Sequence, residues 1–214
     1  MNNHRLPTFA EEKSLAAQGY WLVAGIDEVG RGALAGPVAA AAVILPAGIR
    51  TPWLKKVRDS KQLTPEAREF LCPYIQEAAV AVGIGMTSHE VIDARGIVRA
   101  TRLAMKAAIK QLSPAPQYLL IDYLRLPEVR LPQKGIVYGD CLCLSIACAS
   151  IVAKVARDRL MVQLDGDYPG YGLARHKGYC TNEHVACLRR LGPSPIHRQS
   201  FRPVSDMISA GAVR

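Results

Sequence analysis

Long apolar runs are missing from this 214-residue chain. A membrane-spanning helix needs roughly 18 apolar residues in succession, and the run from Val38 to Leu45 is too short and too rich in alanine. Met1 to Ala10 lacks the basic-then-apolar layout of a secretory leader, so a cytoplasmic chain is expected. No CxxC pair occurs: Cys72, Cys141, Cys143, Cys148, Cys180 and Cys187 read as free thiols, mostly small buried hydrophobes. Cys180, His184 and Cys187 have the spacing of one helical face, but no fourth ligand accompanies them, which argues against zinc. Internal repeats and low-complexity segments are also absent.

Acids are in short supply. Eighteen Asp and Glu stand against 27 Lys and Arg, a net charge of +9. Such an excess favours a polyanionic partner, because each neutralised phosphate releases counterions; a soluble basic protein without such a partner is the alternative. With 50% hydrophobic and 21% charged residues the composition is that of a globular protein. The length suits a single domain over 1–214, with a helical C-terminal part from about 181 to 214.

The hydrophobic pattern predicts a helix near Phe9–Gln18 and strands over Trp21–Val29 and Pro37–Leu45, joined by a Gly-rich connection as a hairpin. Arg50–Leu63 reads as a basic loop. Thr64-Pro65-Glu66 is a helix start, with cap, proline and acid in order. A third strand is expected at Val80–Thr87, a short helix capped by Ser88, and a helix over Ile97–Gln111. Strands follow at Tyr118–Leu124 and Gly135–Tyr138, then a long helix from Ser145 to Leu164. Asp165–Gly178 reads as a loop, Thr181 as the cap of a further helix, and Phe201 as the anchor of the tail. Three strands followed by alternating helix and strand make an α/β fold, a mixed sheet flanked by helices.

Two acids sit where acids are disfavoured. Asp27 lies inside Leu-Val-Ala-Gly-Ile-Asp-Glu-Val and Asp122 inside Tyr-Leu-Leu-Ile-Asp-Tyr-Leu. Two carboxylates facing one another across a sheet repel unless a cation lies between them, and oxygen donors of this kind suit magnesium or manganese. Singly, Asp27 reads equally as a turn acceptor and Asp122 as an arginine partner. Glu28 points away from Asp27 in a regular strand, unless the chain twists before Gly30; a surface salt bridge is its other reading. Asp140, ahead of the long helix, reads as a cap.

Gly30-Arg31-Gly32 follows the first acidic pair. Glycines let backbone approach a ligand, and arginine offers phosphate a planar fork. Tyr168 to Gly172 and His176-Lys177-Gly178-Tyr179 interleave aromatics with bases, as in nucleic-acid contacts or in a packed loop. Lys61 and Lys154 are further phosphate candidates, or ordinary surface lysines.

Together these segments resemble the ribonuclease HII family. The resemblance rests on Gly25-Ile26-Asp27-Glu28-Val29-Gly30-Arg31-Gly32 with Ala35-Gly36-Pro37-Val38, Asp59-Ser60-Lys61-Gln62-Leu63, Leu119 to Asp122, and Gly139-Asp140. It continues through Ser145 to Val155, Arg157-Asp158-Arg159, Tyr168 to Gly172, His176 to Tyr179, and His197-Arg198 with Ser200-Phe201, covering about Ala24 to Val204. It implies an RNase H-like five-stranded sheet, three antiparallel strands then parallel ones, and Asp27, Glu28, Asp122 and Asp140 as metal-binding catalytic acids, the last against its reading as a cap. It also implies Gly30, Arg31 and Gly32 as sensors of a ribose 2′-hydroxyl, and Tyr179 stacked on the following deoxyribose.

The activity implied is endonucleolytic hydrolysis of the RNA strand of RNA–DNA hybrids and incision 5′ to ribonucleotides embedded in duplex DNA. Two manganese or magnesium ions would serve it, and ribonucleotide and primer removal would be its uses. A monomer is expected. Departures from the family pattern are Tyr123, where glycine is common, Tyr138, where lysine often stands beside Gly139, Cys148 for alanine, and Cys180. Tyr138 bears on phosphate contacts near the fourth acid, hence on rate. The sister type HIII carries an extra N-terminal domain; with about twenty residues ahead of the core, HII is preferred. Resolvase- or exonuclease-like members of the superfamily, and a basic binding protein that cuts nothing, are the competing readings.

Overall fold

The structure, a computed structural model, describes residues 6–211. The first five residues, part of the segment read for a leader, and the last three lie outside it. In chain order the elements are α1 (Ala10–Ala16), β1 (Val23–Val29), β2 (Val38–Ile44), α2 (Pro65–Ala78), β3 (Ala81–Thr87), α3 (His89–Arg95), α4 (Ile97–Lys110), β4 (Tyr118–Asp122), β5 (Gln133–Ile136), α5 (Gly139–Leu142), α6 (Leu144–Asp167), α7 (Leu173–His176), α8 (Asn182–Leu191) and α9 (Val204–Ser209). The basic loop carries two short 3-10 turns, Pro52–Lys56 and Ser60–Gln62. No described helix is long and apolar enough to cross a membrane.

The sheet runs β3-β2-β1-β4-β5. β1–β2 and β2–β3 pair antiparallel, β1–β4 and β4–β5 parallel, which is the mixed five-stranded sheet expected. Helix α4 covers one face through Ala100, Ala104, Met105 and Ala108; α2 and α6 cover the other through Leu71, Ile75, Ala147, Ile151 and Val152. Strand β2, Val-Ala-Ala-Ala-Ala-Val-Ile, is buried along its whole length, so its small side chains let helices approach from both sides.

Thr64 and Thr181 cap α2 and α8 as expected, accepting from the backbone N–H of Ala67 and His184. Ser88 stands at the start of α3, but its hydroxyl donates to Glu90 instead. β4 ends at Asp122, not Leu124, because Tyr123 turns into the left-handed region at φ 56°. β5 lies earlier than expected, over Gln133–Ile136, and Tyr138 at φ 57° belongs to the turn into α5.

The close approach of α6 to β1 depends on Gly25: a Cβ there would stand 2.2 Å from the carbonyl carbon of Ser145 and 2.3 Å from the amide nitrogen of Ile146. Beyond the sheet, α7 and α8 pack with the end of α6 around Leu34, Met161, Tyr171, Leu173, Leu188 and Val204.

Three histidines lock this region together. His184 donates from Nδ1 to the Tyr179 carbonyl, and its Nε2 meets Nε2 of His197 at 3.0 Å. Nδ1 of His197 accepts from the backbone N–H and hydroxyl of Ser194. His176 stacks on His184 at 4.2 Å, donates from Nε2 to the Tyr171 carbonyl, and accepts from the Gly178 N–H. Each ring has one donor and one acceptor role, so each is neutral. Burial first, then the neighbouring imidazoles, brings His184 and His197 each down to about 4, against the opposing pull of backbone hydrogen bonds.

Two outcomes are expected. Gly25→Ala should cost about 2–3 kcal/mol in urea denaturation, since backbone rather than a flexible side chain must give way; an unchanged midpoint would mean that α6 retreats freely. On acidification the unfolded chain protonates these histidines near 6.5, the folded chain only near 4, so stability is full above 6.5 and falls by about 3 kcal/mol per histidine towards pH 4. Asp140, raised by burial and acidic neighbours to about 6, contributes the opposite slope. The histidine part is therefore the difference between wild type and His197→Asn, whose denaturation should vary less with pH between 6.5 and 4; equal profiles would refute it.

Candidate active site

The acids gather at one end of the sheet. Asp27 and Glu28 come from the end of β1 and Asp122 from the last position of the neighbouring β4. Asp140 comes from the first turn of α5, reached through β5. Asp27 and Asp140 are 4% and 5% exposed. Asp27 accepts from the Glu28 N–H at 2.7 Å, and Asp122 accepts from the Gly139 N–H at 2.7 Å, so both carboxylates are fixed by backbone.

Burial raises Asp27 well above the usual carboxylate range, reinforced by Glu28, Asp122 and Asp140 and opposed by Ser150. Burial likewise raises Glu28 against the pull of Arg31, and Asp122 against Gly139 and Lys61. The acids hold the exposed Lys61 ammonium in its charged form, and it lies 3.7 Å from Asp140.

Glu28 binds Arg31 through Oε1 at 3.2 Å, while its Oε2 is buried with no hydrogen-bond partner. Glu28 lines a cleft of about 450 Å³ with Gly30, Arg31, Gly32, Lys61, Lys154 and Tyr179, while Asp27 is buried behind it and close enough to feel its charge. Buried carboxylates that raise one another, one with an orphaned oxygen, fit a hard divalent cation with oxygen ligands.

Asp59 was not singled out as an acid from the sequence, where it belongs to a turn; its Oδ1 accepts from the Lys61 N–H. Its carboxylate, that of Asp140 and the Cys141 thiol lie within 4.8 Å of one another. Burial and the two acids push Cys141 up to about 11, and a protonated thiol is a poor donor to a hard ion, so the two carboxylates are the useful part of that group. The zinc alternative has no free imidazole to use: both nitrogens of His184 are engaged.

Sequence reasoning also missed what holds the loop from Gly30 to Pro37. Arg157 and Arg198 are fully buried. Arg157 donates to the carbonyls of Pro37, Lys177 and Ala35, and Arg198 to those of Gly36, Arg31 and Gly30. Nothing local in the sequence marks either as buried. Gly30 has no side chain because a Cβ would stand 2.1 Å from Nε of Arg157.

Tyr179 is joined to the same loop by a bridge to Ala33. Its ring lies 5.4 Å from the Arg157 guanidinium and 5.5 Å from the Lys154 ammonium. Lys154 is bound to Asp158 at 2.8 Å. Ser60 and Ser150 meet at 2.9 Å beside the cleft.

The sequence and the fold have counterparts among known proteins. A family profile described as Ribonuclease HII matches residues 24–204. A Ribonuclease HII of Dehalococcoides mccartyi is 58% identical, over 94% of this chain and 95% of that protein. The crystal structure of the ribonuclease H2 from Pyrococcus horikoshii has the same fold, with TM-score 0.75, 23% identity, and 90% of this chain and 99% of that one covered. A structure of Bst-RNase HIII in complex with Mn2+ superposes at TM-score 0.68, with 20% identity, over 93% of this chain and 73% of that one. With the profile spanning the sheet, the acids and the Tyr179 segment, and with relatives matching nearly end to end, the chain belongs to the ribonuclease HII family.

Proposed function

We propose that this ribonuclease hydrolyses the RNA strand of RNA–DNA hybrids and incises 5′ to single ribonucleotides in duplex DNA, leaving a 3′-hydroxyl and a 5′-phosphate. The observation that carries this reading is the crowding of Asp27, Glu28, Asp122 and Asp140 at one sheet end, with the orphaned Glu28 oxygen, directly beside the Gly30–Gly32 loop. The substrate is nucleic acid, as for the curated relatives named Ribonuclease HII.

In this reading the four carboxylates hold magnesium or manganese. The bound ions supply a water activated at neutral pH and charge neutralisation at the leaving oxygen. The rest falls to the chain's own side chains. Asp27 and Asp122, held by backbone N–H groups, keep their positions without substrate, so little ordering is needed on binding. Arg31 has its carbonyl fixed by Arg198 while its guanidinium faces Glu28 in the cleft, where it can meet phosphate. Gly30 and Gly32 admit the ribose edge closely enough for backbone to sense a 2′-hydroxyl. Lys61 and Lys154 neutralise phosphates, and Tyr179 offers its ring to the sugar that follows.

The test is an end-labelled DNA duplex containing one ribonucleotide, incubated with magnesium, manganese or chelator. One cut 5′ to the ribose is expected with metal and none with chelator. Asp27→Asn keeps shape but removes charge, so cleavage should fall about a thousandfold or more with thermal stability held or raised; an active Asn variant counts against the ligand role. Arg31→Ala should raise KM and narrow the preference for ribose over deoxyribose at the cut; an unchanged preference ends that assignment. Cleavage of all-DNA or branched substrates instead would move the chain to another nuclease type.

A further inference from the structure

The flank of the acid cluster opposite Tyr179 carries two tyrosines that the fold does not need for packing. Tyr123 and Tyr138 are 66% and 74% exposed, and both adopt left-handed backbone, at φ 56° and 57°. Residues with side chains adopt that conformation at a cost and keep it where the surroundings impose it. The surroundings here are the acids. Tyr123 directly follows Asp122, and its N–H is held by the Ile136 carbonyl at 2.9 Å. Tyr138 directly precedes Gly139-Asp140, and its carbonyl accepts from the Cys141 N–H at 3.0 Å.

β4 and β5 are adjacent parallel strands paired through Asp122 and Ile136. Both exposed residues therefore sit at the same end of the sheet, towards β5, with exposed Val137 and Arg125 nearby in sequence. Tyr179 and the Gly30–Gly32 loop lie on the β1–β2 side of the same acids.

We propose that Tyr123 and Tyr138 form a stacking platform for the nucleotides on the 5′ side of the cleaved phosphate, so that the strand is gripped by aromatic rings on both flanks of the acids. The inference rests on the proposed function, which sets the strand across the acids with Tyr179 on its 3′ side. Exposed aromatic rings beside a phosphate-handling site suit bases and sugars, whose flat faces every nucleotide offers. A folded-state role is poorly served by rings that are two-thirds or more in solvent.

Glycine accepts the left-handed backbone, so Tyr123→Gly and Tyr138→Gly should fold, with thermal midpoints no lower than wild type. Base–aromatic stacking of the usual strength corresponds to a loss of about fivefold or more per ring. The double variant should therefore show KM raised about twenty-five-fold or more, with the loss in KM rather than kcat. Tyr→Phe at both positions should restore it. The deciding substrate has abasic sites in place of the two bases 5′ to the cut: wild type should weaken towards the double variant, and the double variant should lose little more. Equal KM for wild type and double variant on the intact duplex, or an equal further loss for both on the abasic one, overturns the platform. If wild type itself fails to cut at the ribonucleotide, the function fails rather than the platform.

Discussion

Two guanidinium groups, buried without a carboxylate partner among the described residues, hold the loop from Gly30 to Pro37 in place. Arg157 and Arg198 donate to six carbonyls, five of them in the segment from Gly30 to Pro37. A buried charge is costly unless hydrogen-bonded, and a loop of glycine and alanine has few side chains with which to fix itself. Each problem solves the other: the carbonyls solvate the cations, and the planar forks pin the loop. A carboxylate partner would divert the donors, and the loop would lose its register against α6 and the tail. The fold is arranged to permit this contact. Arg157 is delivered by a long helix that Gly25 allows to lie on β1, and Arg198 by a tail bridged to Ala35 through His197.

Charge is distributed unequally over the two halves of the cleft. On the sheet side, acids accumulate until burial and mutual repulsion raise their affinity for protons. On the loop side, cations accumulate: Arg157, Arg198, Lys154 and Lys177. Internal pairs cancel only part of each excess: Arg31 meets Glu28, Lys61 lies near Asp140, and Lys154 meets Asp158. An acid half of this kind is stabilised by divalent cations and a basic half by phosphates, so the free protein holds apart two charge excesses that a metal-bound nucleic-acid backbone would satisfy together.

Much of this was legible from residues out of place. Asp27 and Asp122 stood out because strands disfavour acids, and the sheet does bring them to adjacent strand ends. The mixed topology followed from the order of hydrophobic segments and is what the structure has. Asp140 was not legible from local physics, because an acid ahead of a helix is adequately explained as a cap; only the family resemblance placed it with the others. The burial of Arg157 and Arg198 was not legible, since nothing local tells a buried arginine from an exposed one when its partners are carbonyls 20 to 168 residues away. The ends of β4 and β5 were displaced for a related reason: the apolar pattern runs on through Tyr123 and Tyr138, while the backbone has already turned left-handed to present the acids.

The three histidines follow from the same distribution of charge. The backbone around Tyr179 and the tail needs both donors and acceptors deep inside a region already crowded with cations. Arginine and lysine only donate, and a carboxylate would draw the guanidinium groups off the loop. Neutral imidazole supplies one donor and one acceptor with no charge, which is the pattern each ring displays: His184 holds the Tyr179 carbonyl, His176 the Tyr171 carbonyl and the Gly178 N–H, and His197 the Ser194 N–H. Permanent cations fix the loop, neutral rings fix the segment that bears Tyr179, and the carboxylates stand on the sheet. Each type of group is used where its protonation state cannot drift at neutral pH, except at the acids, where drift is what a metal ion would suppress.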